Sequence, residues 1–177
     1  MKNGIIVAML VCSIALAQAQ SLFTANLDGA QDGGAGRHGS GFINLTLSGN
    51  TLTLNGTFTG LTTPSTAAHI HGPAPVGIGT GVLYDLGGSV IPLGFTSGTI
   101  NGSVTLTTQS VPGYANYTVP QQIADLNNSM WYVNIHDSTF PGGEIRGQIV
   151  PVPEPSTWAL MGFSGLGMIW FLRRRGV

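Results

Sequence analysis

Three of the four histidines in this 177-residue chain occupy positions from which they can act together. His69 and His71 are two residues apart, so in an extended strand both rings lie on one face and Ile70 lies on the other. His136 has the same relation to Ile135 in a second alternating segment. Imidazole is a preferred ligand of zinc and copper. If the two strands are neighbours, the three rings converge on the outside of the fold and can hold a metal ion.

A structural role for these histidines is the alternative. Gly72-Pro73 directly follows His71 and predicts a turn. The rings could then hydrogen-bond turn carbonyls and Glu144 without binding a metal. The fourth histidine, His38, lies in a glycine-rich loop, where a solvated side chain is expected.

Catalysis by other groups is not predicted. Glu144 and Arg146 share a strand face, two residues apart, and could form an ion pair that would be worth about 0–1 kcal/mol if it is exposed. No second carboxylate is placed by the sequence to act with Glu144 in acid–base hydrolysis. The glycine-rich segment 76–81 is not followed by the Lys-Ser/Thr of a phosphate loop, and a nucleophile elbow is missing. The residues therefore favour a non-enzymatic protein.

The elements that must position these side chains are strands. Apolar residues alternate with polar ones over 43–47 and again over 52–58, and Gly49-Asn50 between them predicts a hairpin turn. One short helix is predicted over 118–126. Many short strands with frequent turn signals predict a single all-β domain, an antiparallel sandwich or barrel.

The N-terminus has the features of a signal peptide over residues 1–19. Residues 5–16 are almost entirely apolar, and Ala17-Gln18-Ala19 gives a small-x-small cleavage pattern before Gln20. Cys12, the only cysteine, leaves with this segment. The exported protein then has no disulfide and no cysteine metal site, and its stability must come from its core.

The body of the chain, residues 20–150, is long enough for one core and has few charges. Six acidic residues and two arginines give it a net charge of −4. Binding to phosphates requires clustered lysine and arginine, which this region lacks. Nucleic acid is therefore excluded as a partner.

The C-terminal region changes character after Val150. Residues 151–155 form a proline-rich linker, because proline lacks an N–H and restricts its neighbours. Residues 156–172 carry no charge and are about long enough for a transmembrane helix. The basic tail 173–177 is predicted to stay in the cytoplasm and the domain outside.

The order of these C-terminal elements resembles the PEP-CTERM sorting signal of Gram-negative bacteria. The resemblance rests on the tripeptide, the apolar run and the basic cluster, with the motif residues Pro153, Glu154, Pro155, Arg173, Arg174 and Arg175. It implies that a membrane enzyme, an exosortase, recognises the tripeptide and cleaves near it. It also implies release or attachment at the surface, in proteins associated with exopolysaccharide and biofilms.

The body of the chain resembles the CHRD domain, first described in chordin. Three segments carry this resemblance in order: His69 to Ala74, Tyr132 to His136, and Pro141 to Ile149. The family motif covers Gly72, Pro73, Asn134, Gly142, Gly143, Glu144, Arg146 and Gly147. The resemblance implies a β-rich extracellular domain, and growth-factor binding by animal members is not carried over to this chain.

The predicted histidine cluster is also similar to the metal face of copper/zinc superoxide dismutases, whose barrel has a His-x-His strand. The chain departs from that pattern because it has no fourth histidine in a matching place and no disulfide. The resemblance implies a copper or zinc site at His69, His71 and His136 with redox activity.

Two functions are therefore predicted. The first is a non-enzymatic binding or structural module without a cofactor. Signal peptidase would process it, the inner membrane would hold it briefly with the domain on the periplasmic side, and an exosortase would sort it to the surface. Its partners there would be exopolysaccharide or surface proteins. The second is a copper- or zinc-binding domain that uses the three histidines.

Overall fold

The computed structural model describes residues 20–153. The predicted signal peptide, the predicted transmembrane helix, Glu154, Pro155 and the three C-terminal arginines lie outside the described residues. Eleven strands are described: β1 (Gln20–Asp28), β2 (Ser40–Ser48), β3 (Thr51–Thr59), β4 (Ser65–His71), β5 (Val82–Asp85), β6 (Gly98–Thr105), β7 (Gln109–Val111), β8 (Tyr114–Tyr117), β9 (Tyr132–Asp137), β10 (Ile145–Gln148) and β11 (Val150–Pro151). The helical elements among these residues are a 3₁₀ turn (Ala30–Asp32) and the helix α1 (Val119–Asn127).

Nine strands form one antiparallel sheet in the order β5-β4-β9-β10-β1-β2-β3-β6, with β11 also paired to β1. Segment 86–91 links the two ends of this sheet. The Leu86 amide donates to the Ala68 carbonyl in β4, and the Asn101 amide in β6 donates to the Val90 carbonyl. The sheet therefore curls into a nearly closed barrel, which confirms the predicted all-β antiparallel fold.

The predicted hairpin is confirmed by the pairing of β2 with β3 around Gly49. Leu45 lies opposite Leu54, and Leu47 lies opposite Leu52, with all four side chains buried. Their polar neighbours face outward, as a period of two requires. The alternating pattern thus sets the register, since a slip of one residue would expose the whole apolar set.

The short helix and the small β7-β8 hairpin lie beside the barrel. Helix α1 begins after Thr118, whose backbone amide donates to the side chain of Gln121 in a capping box. Leu126 is buried under the helix, and the Gln122 amide group donates to the carbonyls of Thr107 and Tyr117. The predicted helix is confirmed to within a residue at each end. No helix among residues 20–153 is long and apolar enough to cross a membrane.

The strands β4, β9 and β10 have a covered outer face as well as a buried inner face. Ile70, Val133 and Ile135 point into the apolar core and are fully buried. On the opposite face, segments 72–81 and 138–143 fold over the sheet through hydrogen bonds to its histidine and arginine side chains. This second, polar interior contains the predicted histidine cluster.

Candidate metal centre

The three predicted histidines come together because β4 and β9 are neighbours. In the register of this pair, His69 lies opposite Asn134 and His136 lies opposite Ala67. Nδ1 of His69 is 3.1 Å from Nε2 of His136. One ring nitrogen from each of His69, His71 and His136 lies within 4.8 Å of the other two. The sequence spacing therefore identified a real cluster of potential ligands.

In each ring, the nitrogen that points away from the other two histidines faces an oxygen atom. His71 Nδ1 donates to the Thr80 carbonyl at 2.9 Å, and His136 Nδ1 donates to the Pro141 carbonyl at 3.0 Å. A carbonyl only accepts, so in the neutral form of either ring Nε2 carries the lone pair. His69 Nε2 lies 4.0 Å from the Asp85 carboxylate. Outer contacts of this kind fix the tautomer and the orientation of metal-binding histidines.

The lone pair of His71 has no partner. Its Nε2 is buried and has no hydrogen-bond donor among the described residues. Burial lowers the pKa of His71 to about 4, so the ring is neutral above that pH and the lone pair stays available. Burial, and then the nearby His136, also lower the pKa of His69. A neutral imidazole with an unused buried lone pair is the form that binds a metal ion.

The cluster does not lie on an open outer surface. The sequence predicted rings on the outside of a barrel, and they do point away from the apolar core. However, only 8% of His71 and 8% of His136 is exposed, because segments 72–81 and 138–143 cover them. His69, with 21% of its side chain exposed, connects the cluster to solvent.

Arg146 is part of the same interior and does not form the predicted ion pair. Its Cζ lies 3.4 Å from the ring centroid of Tyr132, and its guanidinium donates to the Ile78 carbonyl at 2.8 Å. Glu144 is fully buried, and within residues 20–153 it makes no hydrogen bond to Arg146. The ion pair that the sequence allowed is not formed, because both groups are buried and each has its own partners.

Glu144 instead forms part of a pair of buried carboxylates. Its oxygens accept hydrogen bonds from the Thr62 amide at 2.8 Å and from the Thr62 hydroxyl at 2.8 Å. Asp137, which lies beside it, accepts from the amide and the hydroxyl of Thr63. Burial raises the pKa of Asp137, but the bonds from Thr63 and Phe140 outweigh this and hold it below the usual value. The pair holds the segment before β4 in place, and no pattern in the sequence indicated that Asp137 would take part.

The other residues of the predicted family motif serve the backbone around this interior. A Cβ on Gly72 would collide with the Trp131 ring, and one on Gly147 would collide with the Asn26 backbone. The Gly72-Pro73 peptide is cis. The Asn134 amide donates to the Gly142 carbonyl at 3.3 Å. The two glycines therefore allow segments to approach each other closely, and Asn134 holds the segment at Gly142.

Sequence reasoning missed the residues that orient the rings. Thr80 and Pro141 act through backbone carbonyls, which leave no signal in residue type. Asp85 lies in β5, and only the pairing of β4 with β5 places it opposite His69. Tyr132 did carry a signal, because it alternates with Asn134 and His136 on the same face of β9. His38 is exposed and does not join the cluster, as predicted.

Two known protein families match this chain. The CHRD domain model matches residues 23–149, and the model of the PEP-CTERM protein-sorting motif matches residues 151–175. The chain therefore belongs to the CHRD domain family. No curated protein and no solved structure matches it. The sorting motif implies an exported protein that an exosortase processes at the membrane and that reaches the cell surface.

Proposed function

We propose that this protein is an exosortase-sorted surface protein whose CHRD domain is a non-enzymatic binding module for a transition-metal ion. The ligands are Nδ1 of His69, Nε2 of His71 and Nε2 of His136. The observation that carries the metal proposal is the combination of three converging imidazoles with a buried, unpartnered lone pair on His71. The bonds to Thr80 and Pro141 use the opposite nitrogens, so they are compatible with metal binding. A metal ion would replace the hydrogen bond from His69 Nδ1 to His136 Nε2, and the His69 proton would move to Nε2, on the side of the Asp85 carboxylate.

The chemistry of the donor set restricts the ion. Three imidazoles, with no cysteine in the described residues, suit copper and zinc better than calcium or magnesium, which take oxygen ligands. Two ligand nitrogens 3.1 Å apart are close to the separation of about 3.4 Å that a tetrahedral site with bonds near 2.05 Å requires. A second candidate function, a purely structural hydrogen-bonded cluster, is favoured by the hydrogen bond that joins His69 Nδ1 directly to His136 Nε2.

Metal addition separates these two functions. With free copper or zinc at 100 times its dissociation constant, we expect the full chain in detergent to gain about 2.7 kcal/mol of stability. The melting temperature should then rise by roughly 10 °C. His71→Ala and His136→Ala should lose the shift, whereas His38→Ala, which removes an exposed histidine, should keep it. A wild-type protein whose melting temperature is unchanged by copper, zinc and nickel would leave only the structural role.

The sorting step is tested by processing in a bacterium that contains an exosortase. We expect Glu154→Ala, and separately deletion of residues 173–175, to leave an uncleaved precursor in the membrane fraction. Asp85→Ala, which removes an exposed carboxylate far from the motif in sequence, should be processed like the wild type. Cell fractionation and the mass of the product measure this. Normal cleavage and location in both motif variants would contradict the proposal.

The remaining steps belong to the same proposal. Signal peptidase would cleave before Gln20, the inner membrane would hold the precursor through residues 156–172, and the domain would lie on the periplasmic side. At the surface, exopolysaccharide or other surface proteins are the proposed neighbours. The apolar segment near each end of the sequence supports this order of processing steps.

A further inference from the structure

His71 lies further from the other two histidines than they lie from each other. The ring centroids of His69 and His136 are 4.9 Å apart, whereas that of His71 is 5.5 Å from His69 and 6.1 Å from His136. The ligand nitrogens consequently span up to 4.8 Å. In a tetrahedral zinc site every pair of ligand nitrogens would be about 3.4 Å apart. A tetragonal copper site is different, since ligands on opposite sides of the ion are about 4 Å apart.

Tyr132 holds His71 in this position. The two rings stack with centroids 4.8 Å apart and an interplanar angle of 3°. The Tyr132 hydroxyl accepts a hydrogen bond from the Thr80 amide at 3.1 Å, and the Thr80 carbonyl accepts one from His71 Nδ1 at 2.9 Å. Tyr132 therefore fixes His71 twice, through its ring and through the residue that orients the imidazole.

Tyr132 is itself unable to move. It is 3% exposed, and the guanidinium of Arg146 lies over its ring. Arg146 is anchored in turn by its bond to the Ile78 carbonyl in the covering segment. A side chain packed between an imidazole and a guanidinium, with its hydroxyl bonded, cannot shift without breaking all these contacts. The distance of His71 from the other two ligands is thus built into the packing.

We propose that the histidine cluster selects copper over zinc and that Tyr132 is the specificity-determining residue. Tyr132 keeps His71 up to 1.4 Å further out than tetrahedral zinc requires (4.8 Å against about 3.4 Å), whereas the same span is within about 0.8 Å of the separation of trans ligands in a tetragonal copper site. This inference rests on the proposed metal-binding function. It adds that the site prefers copper and that Tyr132, which is not itself a ligand, determines this preference.

The test compares the dissociation constants of Cu(II) and Zn(II), each measured by chelator competition on the full chain in detergent. Copper binds more tightly than zinc at most nitrogen sites, so the diagnostic quantity is the change in the copper-to-zinc affinity ratio on mutation. Tyr132→Leu removes both the ring stack and the hydroxyl. We expect it to weaken copper binding by about 10- to 100-fold, the usual loss when an outer-shell partner is removed. Zinc binding should fall less, so the ratio should drop about tenfold.

Two further variants separate specificity from folding. Tyr132→Phe keeps the stacked ring and should retain most of the ratio, whereas Arg146→Gln releases the other face of the ring and should lower it. Tyr114→Leu, at an exposed tyrosine in β8, is the matched control and should change neither constant. The visible absorption and the electron paramagnetic resonance spectrum of bound Cu(II) should change in Tyr132→Leu and not in Tyr114→Leu.

The outcomes distinguish a failure of the copper-selectivity inference from a failure of the proposed metal-binding function. If the wild type binds neither ion, the metal-binding function itself fails. If the wild type binds copper but Tyr132→Leu and Arg146→Gln keep the wild-type ratio and spectrum, only the role of Tyr132 is overturned. Should Tyr132→Leu fail to fold, the ratio in Arg146→Gln decides, and an unchanged ratio there overturns the inference.

Discussion

Replacement of Glu144 by alanine is expected to lower the free energy of unfolding by about 4 kcal/mol. The Glu144 carboxylate is fully buried and accepts hydrogen bonds from the amide and hydroxyl of Thr62 and from the amide of Gly39. Each buried donor left without an acceptor costs about 1–3 kcal/mol. Removal of the carboxylate would leave several such donors without an acceptor at once. Urea denaturation of the wild type and the variant measures the loss.

Two controls test the cause of this loss. Glu144→Gln keeps the shape and one acceptor oxygen, so it should lose clearly less stability than the alanine variant. Asp85→Ala removes a carboxylate that is 75% exposed and accepts one exposed hydrogen bond, from the Gly87 amide, so it should cost the metal-free protein no more than about 1 kcal/mol. If Glu144→Ala were as stable as Asp85→Ala, the hydrogen bonds to Thr62 would not hold this region together.

Substitution of Gly143 by alanine is expected to cost about 3 kcal/mol and to weaken metal binding. Gly143 has a φ of 132°, a conformation that residues with a side chain rarely adopt, and such strain costs about 1–3 kcal/mol. An added Cβ would also collide with the side chains of Asp32 and Asn134, which adds an overpacking cost of similar size. The loop would have to shift, and its Pro141 carbonyl would no longer orient His136.

The neighbouring glycine supplies a matched control. A Cβ on Gly142 would meet no atom of the described residues within 4 Å, and its φ is not in the left-handed region. Gly142→Ala should therefore change stability by less than about 0.5 kcal/mol and leave metal affinity unchanged. Thermal melting with and without copper measures both effects. Equal behaviour of the two alanine variants would show that Gly143 is not required by its conformation.

The sequence by itself determined the strands and the inner face of the barrel. The alternation over 43–47 and 52–58 fixed which residues are buried, because a period of two assigns each side chain to a face without reference to distant segments. The same rule put His69 and His71 on one face and Ile70 on the other, which the burial of Ile70 confirms. The family motifs were also readable, since both matches fall where the motif residues lie.

Only the tertiary structure decided what lies over the outer face. The covering segments 72–81 and 138–143 are irregular, so no periodicity predicts where their carbonyls point. As a result, the sequence allowed an ion pair between Glu144 and Arg146 but did not show their burial. In the structure both are buried, Glu144 is bonded to Thr62, and Arg146 lies over the ring of Tyr132. Local patterns report the face on which a side chain lies. The groups that surround it come from residues distant in sequence, and their positions depend on the closed barrel.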